Sequence, residues 1–87
     1  MVTGAAGQIG GIIRSKLAYR YDLVGLDIVD CGWPESHAAD LGDIDSITPA
    51  FEGVDVVVHM GADPSPQATW ESTLSNNIVG TLSLIHI

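Results

Sequence analysis

The chain is short of cations. Its 87 residues carry eleven Asp and Glu against three Lys and Arg, a formal net charge of −8. The three are Arg14, Lys16 and Arg20, all in one segment. Nucleic acids are held by neutralising phosphates, and anionic lipid surfaces by polybasic clusters, so this balance argues against both partners. Cysteine is nearly absent. Cys31 stands alone, which excludes an internal disulfide and a Cys-based metal site. No metal ligands are assigned, and a reducing, cytoplasmic setting is expected. Long apolar runs are missing too. Nothing approaches the roughly 18 residues of a membrane span, and no basic stretch precedes an apolar one as a secretory signal would require. What remains is 46% hydrophobic residues and ten glycines, a composition for one small folded domain with a thin core.

Elements alternate along the chain. Residues 1–3 read as the tail of a strand. Gln8 to Tyr19 reads as a helix, with Ile9, Ile12, Ile13 and Leu17 on its apolar face. Residues 22–28 read as a buried strand, 30–36 as a loop, and His37 to Asp40 as a short strand. Asp43 is placed to N-cap a helix that Pro49 shortens or bends and Gly53 stops. Residues 54–60, "VDVVVHM", read as a β-branched strand buried on both faces. A loop with two prolines leads to a last helix near Trp70, where Trp70, Leu74, Ile78 and Leu82 form the expected buried stripe. The order β-α-β-(β)-α-β-α implies an α/β fold with a parallel sheet and crossover helices.

The chemistry-bearing stretch is "VTGAAGQIGG", residues 2–11. Gly4, Gly7 and Gly10 recur every third residue between a strand and a helix. A helix N-terminus presents unpaired N–H groups and a partial positive charge, and a pyrophosphate reaches them only where no side chain blocks the backbone. Gly10 and Gly11 each cost roughly 1 kcal/mol of helix propensity relative to Ala, so they serve something besides the helix. Asp27 follows Gly7 by 20 residues, at the next strand's end. That is the position of a carboxylate that binds a ribose in dinucleotide sites, with Asp30 in the following loop as its competitor. Asp27 would repel a 2′-phosphate, which favours NAD over NADP.

The spacing Thr-Gly-x-x-Gly-x-x-Gly resembles the short-chain dehydrogenase/reductase superfamily, and in particular its extended branch, the NAD-dependent epimerase/dehydratase family. "LDI", "ADL" (39–41), "GVDVVVHMGAD" (53–63) and "NNIVGT" (76–81) carry the likeness across residues 2–81. The resemblance implies the N-terminal half of a Rossmann-type domain over residues 1–81, and NAD as cofactor. It places the pyrophosphate on Gly4, Gly7 and Gly10, with backbone N–H groups from Gln8 and Ile9. It puts the ribose on Asp27, the adenine between Asp40 and Leu41, and the nicotinamide ribose beside Gly61 and Ala62. Asn77 matches a helix asparagine that positions a water in the proton relay; its plainer role is to bond a neighbouring backbone. Ser65 lies near the substrate mouth. Trp70 is expected as a core anchor, and His37 and His59 are assigned no chemistry. Substrates in this family are sugars, nucleotide sugars and uronates, and the resemblance implies a homodimer through a helix pair that includes the last helix.

The family's catalytic base is the tyrosine of Tyr-x-x-x-Lys. Neither Tyr19 nor Tyr21 is followed by Lys four residues on, and Lys16 precedes both, so these residues lack the pair. Residues 82–87, "LSLIHI", match what the transposase-adapter end of sequencing libraries encodes, and they are expected to be a non-native tail. Both ends are thus expected to be clipped, with the fourth strand left as an exposed edge. The reading is a cofactor-binding fragment of an NAD-dependent sugar epimerase, dehydratase or dehydrogenase. The alternative is a non-catalytic dinucleotide sensor on the same fold.

Overall fold

The computed structural model describes residues 1–87. Four parallel strands form one sheet: β1 (Val2–Thr3), β2 (Gly25–Asp27), β3 (Ser36–Ala38) and β4 (Val58–His59), in the order β3-β2-β1-β4. The register sets Val2 beside Gly25 and Val58, and Thr3 beside Leu26 and His59. Because side chains alternate across a sheet, this register sorts the core. Met1 and Leu26 pack with Ile47 and Ala50, while Val2 packs with Ala5 and Trp33. Leu26 and Ile47 are fully buried, and each such side chain is worth about 1.5–3 kcal/mol.

The strands are shorter than the 22–28 and 54–60 runs suggest. A parallel ladder extends only as far as its partner, and β1 offers little beyond the bonds from Val58 N–H to the Met1 carbonyl and from Met60 N–H to that of Thr3. The third strand also sits slightly earlier, at Ser36–Ala38 rather than His37–Asp40. The fourth run is not buried on both faces. β4 lies at the sheet edge, and Val56, Val57, Val58 and Met60 are all exposed.

Helix α1 (Gln8–Leu17) ends two residues before the expected Tyr19. It meets the sheet through buried Gly10 and half-buried Ile13 and Leu17. Ile9 and Ile12 sit about 70° and 130° round the helix from this line and are more than half exposed, so they do not share its face. Helix α2 (Ile44–Ile47) is capped by Asp43, whose carboxylate accepts from Ser46 N–H at 3.3 Å. The chain then tightens into a 3₁₀ turn over Thr48–Phe51 that contains Pro49, as the proline requires, and Gly53 ends it at φ 76°.

The last helix begins at Trp70 and runs to His86 in three segments: α3 (Trp70–Ser72), a π-helical stretch (Thr73–Val79) and α4 (Gly80–His86). Its expected apolar stripe faces outward. Trp70 is 64% exposed, and Leu74, Ile78 and Leu82 are open as well. The inward side carries Asn76, Asn77, Thr81 and Ser83, because this helix meets the β4 loop through hydrogen bonds. Trp70 is therefore not a core anchor.

Candidate cofactor site

The turn from β1 into α1 is built by its glycines. Gly4 has φ 68°, and a Cβ there would lie 2.6 Å from the Met60 carbonyl oxygen. At Gly10 a Cβ would lie 2.5 Å from the Gly4 carbonyl oxygen and 2.8 Å from Ala5 Cα. No side chain caps α1, and its first turn holds no acidic residue. The N–H groups of Gln8, Ile9 and Gly10 have no acceptor within the chain. Three open donors on a bare helix N-terminus suit an anionic group. The phosphates of a dinucleotide fit such a set of donors.

An open cleft lies at the carboxyl ends of the strands, lined by Gly4, Asp27, Ile28, Ala39, Asp40, Leu41, Gly61, Ala62 and Asn76. Six of these residues were singled out from the sequence. Asp27 is half-buried and accepts from Ala6 N–H at 3.0 Å, so the glycine turn itself holds the carboxylate. Asp30 instead accepts from Gly32 N–H at 2.8 Å and does not line the cleft. Leu41 is wedged between two close backbones: a Cβ on Gly61 would meet its Cδ1 at 2.5 Å, and one on Gly80 its Cβ at 3.0 Å. The glycine of "NNIVGT" thereby lets the last helix close on the cleft wall.

Gly7, Gln8 and Ile9 are exposed at the start of α1, while Gly10 is buried beneath the turn. Asn77 and Ser65 do not line the cleft. Asn77 grips the backbone of Asp63 at both ends, its Oδ1 accepting from Asp63 N–H at 2.7 Å and its Nδ2 donating to the Asp63 carbonyl at 3.2 Å. Ser65 is exposed on the same loop and accepts from Gln67 N–H at 3.2 Å. Asp63 is held further by the Ser72 hydroxyl at 2.5 Å and by Ser65 N–H at 3.1 Å. Those bonds, the Ser72 one foremost, pull its carboxyl below the usual range.

A second network ties the cleft floor together. Thr3 Oγ1 accepts from both Met60 and Gly61 N–H at 3.0 Å, so its one proton goes to His59 Nδ1, 2.7 Å away. The imidazole is then protonated on Nε2, which donates to Thr81 Oγ1 at 3.0 Å, and Thr81 in turn donates to the Asn77 carbonyl at 2.6 Å. Every group has one direction, and the ring must be neutral. Burial also pushes the His59 pKa below 6.5.

Three lining residues escaped the sequence reading: Ile28, Ala39 and Asn76. The first two adjoin Asp27 and Asp40, and their adjacency was the available signal. Asn76 gave none, because an α-helix would set it and Asn77 about 100° apart.

Comparison with known proteins agrees with this geometry. Residues 1–87 match the NAD dependent epimerase/dehydratase family. The chain is 40% identical over 83 residues to L-arabinose 1-dehydrogenase (NAD(P)(+)) of Haloferax volcanii, covering 95% of this chain and 33% of that one. Uronate dehydrogenase from Agrobacterium tumefaciens, solved as a variant complexed with NAD, superposes with a TM-score of 0.84 at 33% identity, over 98% of this chain and 34% of that one. UDP-glucose 4-epimerase of Thermus thermophilus, also with NAD, gives 0.80 at 28% identity, over 98% and 32%. The chain spans about a third of the length of these relatives. A parallel sheet with a glycine turn, a strand-end carboxylate and a match along the whole chain lead to one conclusion: this chain belongs to the NAD-dependent epimerase/dehydratase family.

Proposed function

We propose that these residues are the cofactor-binding part of an NAD-dependent sugar dehydrogenase that acts on an aldose or uronate. One observation carries the reading: the carboxyl ends of four strands bring Gly4, Asp27, Asp40, Leu41, Gly61 and Ala62 to a single cleft. Gly4, Gly7 and Gly10 keep the backbone bare, and the N–H groups of Gln8 and Ile9 receive the pyrophosphate. Asp27 binds the adenosine ribose, Asp40 and Leu41 flank the adenine, and Gly61 and Ala62 border the nicotinamide ribose. When bound, the nicotinamide supplies the hydride acceptor. Asn77 positions the Asp63 loop and orders a water for the proton relay, and Ser65 contacts the sugar. A dehydrogenase is preferred to an epimerase because identity to the sugar dehydrogenases exceeds that to the epimerase structure.

Titration with both dinucleotides tests the reading. A 2′-phosphate about 4 Å from Asp27 is opposed by roughly 4 kcal/mol at an effective dielectric of 20, so NAD binds more tightly than NADP. Asp27→Asn narrows the gap mainly by improving NADP. Tighter NADP binding by the unaltered chain overturns the Asp27 assignment. The reading frame beyond residue 81 separates an enzyme, which carries Tyr-x-x-x-Lys, from a dinucleotide sensor, which does not.

A further inference from the structure

The Met60–Gly61 peptide joins the two halves of the cleft. A Cβ on Gly4 would lie 2.6 Å from the Met60 carbonyl oxygen and 2.9 Å from Gly61 N, so the glycine turn rests directly on this peptide. Gly61 itself lines the cleft beside Leu41. One hydroxyl ties the peptide to β1: Thr3 Oγ1 accepts from both Met60 and Gly61 N–H. Met60 N–H has a second acceptor, the Thr3 carbonyl at 3.3 Å, and Gly61 N–H has no other. Thr3 is fully buried, out of reach of solvent.

A hydroxyl has two lone pairs and one proton. Both lone pairs serve the peptide, so the arrangement holds only while His59 Nδ1 is bare and can take the proton. Nε2–H is already committed to Thr81 Oγ1. An imidazolium would bring a third donor to Thr3 and turn the hydroxyl proton toward Met60 or Gly61 N–H. Two protons would then face each other in a buried place, and a hydrogen bond would go unmade. No charged group offsets this. Thr3 of β1 and Thr81 of the last helix, which flank the ring, are neutral. Asp55 acts on the Met1 amine, and Asp63 is turned to Ser72 and Ser65. His86 bonds the Leu82 carbonyl at the exposed helix end. Burial is what moves the His59 pKa, and it favours the neutral ring.

We infer that His59 is a positioning residue for the dinucleotide, its neutral ring holding the Met60–Gly61 peptide in place through Thr3 and releasing it on protonation. The inference rests on the NAD reading above and adds its regulation: the cofactor is held at neutral pH and loosened in acid. The sign is specific. Protons make a chain of net charge −8 less repellent to an anionic dinucleotide, so general charge alone would tighten binding in acid.

The test is the NAD dissociation constant of the folded chain from about pH 8 to 5, the range in which histidine titrates. The constant should be level at the upper end and rise by about threefold to tenfold at the lower, the loss expected for one hydrogen bond. Linkage requires the reverse effect: saturating NAD should lower the His59 titration, followed by NMR, by about one pH unit for a tenfold change. His59→Gln offers Thr3 an acceptor and Thr81 a donor but takes no proton, and should bind with one affinity throughout. His37→Gln and His86→Gln, both at exposed positions, should keep the slope. A slope that survives His59→Gln, or a His59 titration that NAD leaves unmoved, overturns the inference; the NMR titration decides alone if His59→Gln does not fold. Absence of NAD binding at every pH overturns the NAD reading itself, whereas binding indifferent to pH overturns this inference only.

Discussion

Gly10 and Gly11 are chain neighbours in the first turn of one helix, and alanine should have opposite effects at the two positions. At Gly10 the added Cβ meets the Gly4 carbonyl oxygen at 2.5 Å, and Ala5 Cα and carbonyl oxygen at 2.8 Å. All three are backbone atoms, so no side chain can swing aside. Overpacking of this kind costs about 1–3 kcal/mol, while helix propensity returns about 1 kcal/mol. Gly10→Ala should therefore destabilise by up to about 2 kcal/mol. At Gly11 a Cβ meets nothing within 4 Å, and the propensity gain of about 1 kcal/mol stands. Urea unfolding followed by tryptophan fluorescence, with Trp33 buried as reporter, should separate the two variants by about 1–3 kcal/mol. At a slope of about 1 kcal/mol per molar urea, that is a split of about 1–3 M between midpoints. NAD affinity supplies a second readout. Gly10 contributes an open N–H, whereas Gly11 N–H is already bonded to the Gly7 carbonyl at 3.0 Å. Gly10→Ala should weaken binding and Gly11→Ala should leave it unchanged. Equal stability and equal affinity in the two variants would refute the close-approach argument.

Two further outcomes follow from the networks behind the cleft. The folded chain holds His59 neutral with its pKa lowered by burial. Below pH 6.5 the unfolded chain therefore binds a proton that the folded chain resists. Stability is full above that value and falls as the pH drops toward the folded pKa. Unfolding midpoints measured from about pH 7.5 to 5 should show this slope, and His59→Gln should flatten it. Ser72→Ala removes the main bond that lowers the Asp63 carboxyl. An NMR titration should then find Asp63 shifted upward, toward its ordinary value of 3.8. The part of stability that depends on this bond is present above that ordinary value and is lost as pH falls below it. An unmoved Asp63 titration would refute the assigned cause.

The cleft was legible where its chemistry is local. Gly4, Asp27, Asp40, Leu41, Gly61 and Ala62 each stand at the carboxyl end of a strand. Gly4 and Asp27 are read from spacing, a glycine triplet between strand and helix and a carboxylate 20 residues after Gly7, whereas Asp40, Leu41, Gly61 and Ala62 are placed by the family resemblance of "ADL" and "GVDVVVHMGAD". The last helix was not legible in the same way. Hydrophobic periodicity reports which face is apolar, and the expectation equates that face with the buried one. Here the inward face is held by Asn77 and Thr81 through hydrogen bonds and by Leu84 against the core, while Trp70, Leu74, Ile78 and Leu82 point outward. The π-helical winding is equally silent, because it differs from an α-helix only in which carbonyl each N–H selects. The edge position of β4 is expected from the family resemblance, whereas the burial on both faces inferred from "VDVVVHM" does not hold, since a β-branched run reads alike at the centre and the edge of a sheet.

The turn between β1 and α1 has a consequence for how an anionic ligand arrives. A phosphate there meets backbone donors, with no lysine or arginine among Gly4 to Gly10, on a chain whose net charge is −8. At a distance the protein repels a dianionic visitor; at contact, directed N–H groups hold it. Dissolved salt screens the repulsion, with a reach of about 10 Å at 0.1 M, and leaves the short-range bonds nearly untouched. Added salt should therefore quicken association rather than slow it, opposite to the usual behaviour of phosphate sites built from cationic side chains. Retention then depends mainly on shape and bond direction, with the partial positive charge of the helix N-terminus as the only local attraction.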